Sequence, residues 1–510
     1  MTRILIIFKL SIFLASPIQA KSIYEEVIKT LKSKHSDGEG SEWYISSADF
    51  ADDWLIDAPY GAYVAAESLP KNLGCESGTK GCDPIFTRKT CSTDSDCSEG
   101  ISCESLASTV SPKQSEPVSM CLHPADRLID RFYKIISSTN RHLDFVSLSI
   151  PTGRFYEGIV NALAQLSQKE NPPTVRLLFG GKSHLWPNFL HAPDKVLKLL
   201  EKDINARGGD SKRLPMFLAW ISSSRLSWNH AKVLIADEAR MMNGGHNAWD
   251  SDYLGNKPVF DLSLEVTGPA AQKTQDFVNV LWPKIRKFAT NTRAKKPMVP
   301  VQISSNYVAS TPVIGVGRLG VFGDDPADDA IIAMFDAAKD SIYLSQQDLF
   351  STLSYKTEES WAAEALVKAA MRGVKVNIVT SNKARQFAYG MVSHSESVEY
   401  LKNIAKRLLK GKSKELRASK LKTFCESMDI APLRFNEDIT SWEDGTNLAN
   451  HSKLIIVDES DFYLGSQNFY PANLIEHGLI VSDPSVTEEL LQNYWRVLWE
   501  LSKGAGASCR

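Results

Sequence analysis

Apolar positions along this chain follow two alternating periods, and the alternation occurs twice. Leu128, Ile129, Phe132, Ile135 and Ile136 share one face of a helix predicted over 126–138. The run 143–150 reads as a strand, 155–166 as a second helix and 175–179 as a second strand. The same order returns later. A helix is predicted over 327–338, carrying Ile331, Ile332, Met334 and Phe335, then a strand over 341–345, a helix over 361–371 and a strand over 374–379. Helices alternating with short, continuously apolar strands predict an α/β fold in two similar lobes, each with a largely buried sheet.

Each lobe ends in the same spaced signature. His230-Ala-Lys232 is followed by Asp237 and by Gly244-Gly245-His246-Asn247; His451-Ser-Lys453 is followed by Asp458 and by Gly465-Ser466-Gln467-Asn468. Both signatures open a short apolar strand, over 233–236 and 454–457, so the His and Lys two residues apart project to one face. Two such sets facing one site suit phosphodiester chemistry. Lys232, Lys453, Asn247 and Asn468 can neutralise and bind the phosphate. One histidine can attack phosphorus while another protonates the leaving alcohol. A carboxylate on each ring's other nitrogen would fix its tautomer, and Asp261 and Glu476 lie downstream at similar positions in their own halves. Asp237 and Asp458 point away from the His/Lys face by alternation and read as structural. His246 has no counterpart in the second copy and reads as local structure. No His-Glu-x-x-His, calcium loop or P-loop is present, so neither a metal nor a cofactor is expected.

Composition narrows the setting. Of 510 residues, 43% are hydrophobic and 23% charged, ordinary for a globular protein. Residues 1–20 read as a secretory signal peptide, with Arg3 and Lys9 ahead of and within a mostly apolar run. Their loss takes the net charge from −2 to about −4, which gives no footprint for bulk nucleic acid. Six of the eight cysteines fall in 75–121, a polar insertion read as a disulfide-stapled surface loop in an exported protein. Cys75 with Cys82 is the pairing the spacing suggests, and Cys425 is left open. The resulting domain reading is an N-terminal lobe over 21–289 containing the insertion, a linker over 290–315 and a C-terminal lobe over 316–510.

The duplicated His-Lys-Asp signature resembles the phospholipase D superfamily. Further runs are similar to its secreted bacterial members: Trp228-Asn-His-Ala-Lys232, Trp249, Asp252-Tyr-Leu254, Ser345-Gln-Gln-Asp-Leu349 and Phe462-Tyr-Leu-Gly-Ser-Gln-Asn468. The resemblance covers about residues 42 to 500, apart from the cysteine insertion. It implies a two-lobed α/β/α/β/α sandwich with the site between the lobes. It also implies hydrolysis of phosphatidylcholine to phosphatidic acid and choline, with transfer to other alcohols. His230 would be the nucleophile and His451 the general acid, supported by Asp261 and Glu476 respectively. Similar enzymes carry Asp where Glu476 stands, and hold a loop over the entrance, here near 388–397. The expected partner is a phospholipid at a membrane surface, met peripherally by a monomer. Alternatives are a phosphodiesterase of the same superfamily acting on nucleic acid, and a lipid-binding virulence protein. Asn450-His451-Ser452 is also a glycosylation sequon, which a catalytic His451 would require to stay unmodified.

Overall fold

The computed structural model describes residues 22–59, 90–97, 102–122, 127–180, 192–223, 227–254, 258–296, 309–350, 360–382, 392–435, 441–442, 445–469 and 472–509. Two large sheets dominate. The first runs Phe288–Thr290, Met216–Ser223, Thr174–Gly180, His142–Ser147, Val233–Ala236, Arg240–Gly244, Asp261–Thr267, Leu55–Ala58. Its parallel part, His142–Ser147 to Thr174–Gly180 to Met216–Ser223, is joined by the helices Gly153–Gln168 and Pro193–Ala206. Val233–Ala236 then returns antiparallel beside His142–Ser147 and starts a meander.

The second sheet repeats this plan. Its order is Trp43–Ala48, Thr311–Arg318, Glu476–Ser482, Asp461–Gly465, Lys453–Val457, Ser341–Gln346, Lys375–Thr380, Met428–Pro432, Ala507–Ser508. Again three strands are parallel, and the signature strand Lys453–Val457 returns antiparallel against the first of them.

Among the described residues, three apolar clusters fill the space between layers. One backs the first sheet with Leu128, Phe155 and Leu163 from its outer helices. Another backs the second sheet with Ile331, Leu366 and Leu401. The central cluster joins the sheets to each other: Val146, Val233 and Leu262 meet Leu454, Phe462 and Leu479 through Phe277 and Trp495 of helical segments between them. These layers form the expected α/β/α/β/α sandwich.

Two domain-level expectations change. The helix Ile23–Lys34 buries Val27 and Leu31 against Pro326–Ala337, and Trp43–Ala48 pairs with Thr311–Arg318. Residues 23–48 therefore belong to the C-terminal sheet, not to the lobe placed over 21–289. An edge strand needs only an unpaired neighbour, and nothing in Trp43–Ala48 itself names which sheet supplies it. The region over 290–315 is also not all linker, because Thr311–Arg318 lies inside the second sheet. Glycine within this strand makes room for a ring: a Cβ on Gly315 would lie 1.9 Å from Tyr44 Cζ. Cys425, whose partner the sequence left open, is bonded to Cys509, which ties the helix Lys414–Ser427 to the segment Ala507–Ser508 and beyond.

Within the insertion, Cys91–Cys103 and Cys97–Cys121 staple the hairpin of Ser102–Leu106 and Val118–Leu122. The pair Cys75 and Cys82 lies outside the described residues, as do the leader over 1–20 and residues 388–391 of the entrance loop. Ser393 caps the helix His394–Leu408, so the last residues of that loop are helical. Among the described residues no helix is long and apolar enough to cross a membrane.

Asp237 and Asp458 sit at the tight turns after the signature strands, at φ 57° and 50°. Asp237 accepts from the amides of Asn140, Arg141 and His142, and Asp458 from those of Lys339, Asp340 and Ser341. Each carboxylate thus pins the turn to the start of the neighbouring strand. Asp458→Ala is expected to cost about 3 kcal/mol, because three amides lose an acceptor and alanine enters the left-handed region. Asp458→Asn, which keeps an acceptor and tolerates that backbone, should recover about half of this in urea melts.

Candidate active site

The two signatures meet at the seam between the sheets. The residues just before each histidine are fixed first. Asn229 is fully buried and donates from Nδ2 to the carbonyls of Ser147 (2.8 Å) and Ala231 (3.2 Å). Asn450, equally buried, donates to Ser345 Oγ (3.0 Å) and the Val379 carbonyl (3.3 Å). The Asn450 side chain is therefore inaccessible as a sequon. An Asn directly before His in both copies was the available signal for this role.

The lobes then cross. The amide of His230 donates to the Ile475 carbonyl (2.8 Å), and that of Ile475 to Trp228 (3.0 Å). Reciprocally, the His451 amide donates to Phe260 (2.6 Å), and the Phe260 amide to Ala449 (2.9 Å). Ile475 and Phe260 immediately precede Glu476 and Asp261. The expected supports are consequently exchanged. His230 Nδ1 lies 3.0 Å from both Glu476 oxygens, and His451 Nδ1 lies 2.6 Å from Asp261 Oδ2. Neither histidine is held by a carboxylate of its own half, because the pairing is set between strands of different lobes. The two imidazoles face each other with centroids 6.4 Å apart and planes at 69°.

Further groups complete the carboxylates. Ser466 Oγ donates to Glu476 Oε2 (2.5 Å), and Tyr253 Oη to Asp261 Oδ2 (2.7 Å). Tyr253 Oη also receives the Asn247 amide (3.0 Å). Lys232 Nζ donates to the His230 carbonyl (2.6 Å), and Lys453 Nζ to that of His451. Asn247 and Asn468 are 1% and 2% exposed and follow the glycine-containing turns of their own copies. His246 is buried, with Nδ1 2.8 Å from Ser263 Oγ. Trp442 is buried in the central core.

Burial works against every cation here. It draws His230 down to about 4, against the pull of Glu476. It draws His451 well below its ordinary value, with Lys453 and Lys232 adding to the effect. Lys232 falls to about 7 and Lys453 to about 8, although Glu476 and Asp261 oppose this. Burial also opposes ionisation of Glu476, yet His230, Lys232 and Ser466 hold that carboxyl below its usual range. Asp261 moves the other way: burial raises it despite His246, Lys453 and Tyr253. Burial likewise lifts Asp252, beside the two lysines, to about 7. A phosphate anion entering this cluster would favour the charged form of each lysine and histidine.

Comparisons with known proteins bear on the family and the fold. A family model described as "Cardiolipin synthase, PLD-like domain" matches residues 331–499. The chain is 27% identical over 441 residues to a phospholipase D of Streptomyces antibioticus, covering 75% of this chain and 78% of that protein. Among solved structures, a phosphatidylserine synthase of Haemophilus influenzae Rd KW20 superposes with a TM-score of 0.51 at 12% identity. That match covers 75% of this chain and 86% of the other, and shows a shared fold.

Because the lysines lie near 7 and 8, an oxyanion should bind together with protons. Tungstate binding at pH 7.5 is expected to take up roughly half a proton to one proton, and to weaken as pH rises through that range. Calorimetry in two buffers of different ionisation enthalpy reads the uptake directly. Equal heats in both would mean that the lysines are already fully charged.

Proposed function

We propose that this chain, as a member of the phospholipase D superfamily, is an exported phospholipase D. It would cleave phosphatidylcholine-type lipids to phosphatidic acid and free headgroup, and transfer the phosphatidyl group to alcohols. The observation that carries this reading is the facing of His230 and His451 at 6.4 Å, each backed by a carboxylate from the opposite lobe. One phosphoryl group can touch both rings at that spacing, since reacting atoms sit about 3 Å apart before bond formation. The choice of a phospholipid substrate rests on the Streptomyces relative and on the absence of excess positive charge in the sequence. The disulfides fit an oxidising compartment. The enzyme would act peripherally, as a monomer, at the lipid surface.

Glu476 holds the Nδ1 proton of His230, which leaves the Nε2 lone pair free to attack phosphorus. His451, oriented through Nδ1 by Asp261, gives its Nε2 proton to the departing alcohol oxygen as the P–O bond breaks. A water then loses a proton to His451 Nε2 while its oxygen attacks phosphorus, and the P–N bond electrons return to His230. Lys232, Lys453, Asn247 and Asn468 would bind the non-bridging oxygens and stabilise the negative charge of each transition state. This assigns the required charge stabilisation to side chains, so turnover should persist in EDTA. A nucleic-acid substrate is the second reading, and plasmid cleavage against choline release from vesicles separates the two.

His230→Asn should abolish turnover and the acid-labile phosphohistidine. His451→Asn should still form the adduct from a lipid with a p-nitrophenol leaving group, and then retain it. Near-normal activity of His230→Asn would overturn the assignment.

The exchanged supports give a sharper test. Glu476→Gln should slow adduct formation by about 10²- to 10⁴-fold whatever the leaving group. Asp261→Asn should slow it only with a natural alcohol as leaving group, because p-nitrophenol needs no proton.

The pH dependence follows from the same groups. In the free enzyme His230 must be neutral and His451 protonated, so kcat/KM should fall as pH rises through the lowered His451 value. Bound phosphate raises that value, placing the alkaline limb of kcat at higher pH than that of kcat/KM. Coincident limbs would contradict the charge coupling.

A further inference from the structure

We propose that Gln346 contacts the substrate, holding the hydroxyl group that leaves or enters beside His451. This inference rests on the phosphodiesterase reading above and names a residue for the acceptor, which that reading leaves unassigned.

Gln346 ends the strand Ser341–Gln346 and stands opposite Lys453 in the antiparallel ladder. Paired side chains of adjacent strands leave the sheet on one face, with Cβ atoms about 5 Å apart. Lys453 Nζ in turn donates to the His451 carbonyl, so Gln346, Lys453 and His451 lie together. Gln346 is 0% exposed, yet among the described residues neither its Oε1 nor its Nε2 has a hydrogen-bond partner. A buried carboxamide with both ends unspent is costly, and in a native site it calls for a ligand.

The other lobe repeats the observation. Leu143 pairs with Ala236 as Ile342 pairs with Val457, so Ser147 occupies in the first sheet the position of Gln346 in the second. Ser147 is 1% exposed, and its Oγ also lacks a partner among the described residues. Both copies thus place an unpartnered polar group beside the signature lysine. Only the C-terminal copy, which carries the proposed general acid, supplies a long side chain with donor and acceptor together.

The ligand class follows from that pairing. Non-bridging phosphate oxygens only accept, and the lysines and asparagines already match them. A water or alcohol hydroxyl both donates and accepts, as the Gln346 carboxamide does. In the second half-reaction Gln346 would fix this hydroxyl while its proton passes to His451 Nε2, its oxygen bonds to phosphorus, and the P–N bond electrons return to His230. The same contact would hold the leaving alcohol in the first half-reaction.

The test follows adduct formation and decay by acid quench, using a phosphatidyl p-nitrophenol substrate and the full chain. Gln346→Met preserves size without the amide. It should form the adduct within about twofold of the wild-type rate and lose it about tenfold more slowly, the effect of one neutral hydrogen bond. Gln346→Asn should recover part of the decay rate and change the ratio of transfer to hydrolysis with ethanol. The melting temperature of Gln346→Met should be equal or higher, since an unpartnered buried amide has been removed. Unchanged decay would overturn the proposal, and so would equal slowing of both steps with a lower melting temperature, which would mark a packing role. Absence of any adduct in the wild-type protein would instead sink the phosphohistidine reading itself.

Discussion

The whole site depends on one backbone crossing. Trp228 and His230 exchange hydrogen bonds with Ile475, and Ala449 and His451 exchange them with Phe260. Each contact binds the approach to one signature strand to the residue before the other lobe's carboxylate. The next side chain along, Glu476 or Asp261, then has a foreign histidine as its neighbour. Separated lobes would each keep a histidine and a lysine but lose the carboxylate that orients the ring. The central core, where Leu262 and Val233 meet Leu479 and Leu454, supplies the apolar burial that makes the crossing stable. Folding and assembly of the site are therefore one event.

That event gathers charges which burial disfavours. Lys232, Lys453, His230 and His451 are each 5% exposed or less, with Glu476 and Asp261 as the opposing carboxylates. Local rules of polar satisfaction are kept elsewhere, as at Asp237 and Asp458 with three backbone amides apiece, and are broken here. Such a cluster is stabilised by an anion more than by any rearrangement of its own side chains. The lowered lysine values are the physical expression of that bias.

What the sequence made legible was what short range determines. Two-residue spacing on a strand fixes which side chains share a face, so His230 groups with Lys232, and His451 with Lys453, on spacing alone. The five-residue step to Asp237 and Asp458 likewise set them off the His/Lys face, in a structural role. Partner choice across the seam was not legible. Asp261 and Glu476 stand at similar distances after their own histidines, and nothing in either run encodes that the lobes exchange them. The same limit misplaced the edge strand Trp43–Ala48, whose hydrogen-bond partner Thr311–Arg318 lies far along the chain.

The two copies differ in how they hold their carboxylates, and the difference bears on their roles. A Cβ at position 245 would lie 1.9 Å from Asp261 Oδ1, so the first copy keeps glycine there and brings its hydroxyl from Tyr253. The second copy has Ser466 at the matching position, and this serine donates directly to the longer Glu476. The consequences for charge are opposite. Glu476 is held below its usual range despite burial, which would suit a group facing a histidine that becomes positive on bonding to phosphorus, as proposed for His230. Asp261 is instead raised by burial, and it lies 2.6 Å from His451 Nδ1, which in the proposed cycle would gain and release a proton. The asymmetry between a carboxyl held down and one pushed up is what the proposed roles, His230 as nucleophile and His451 as acid, would require.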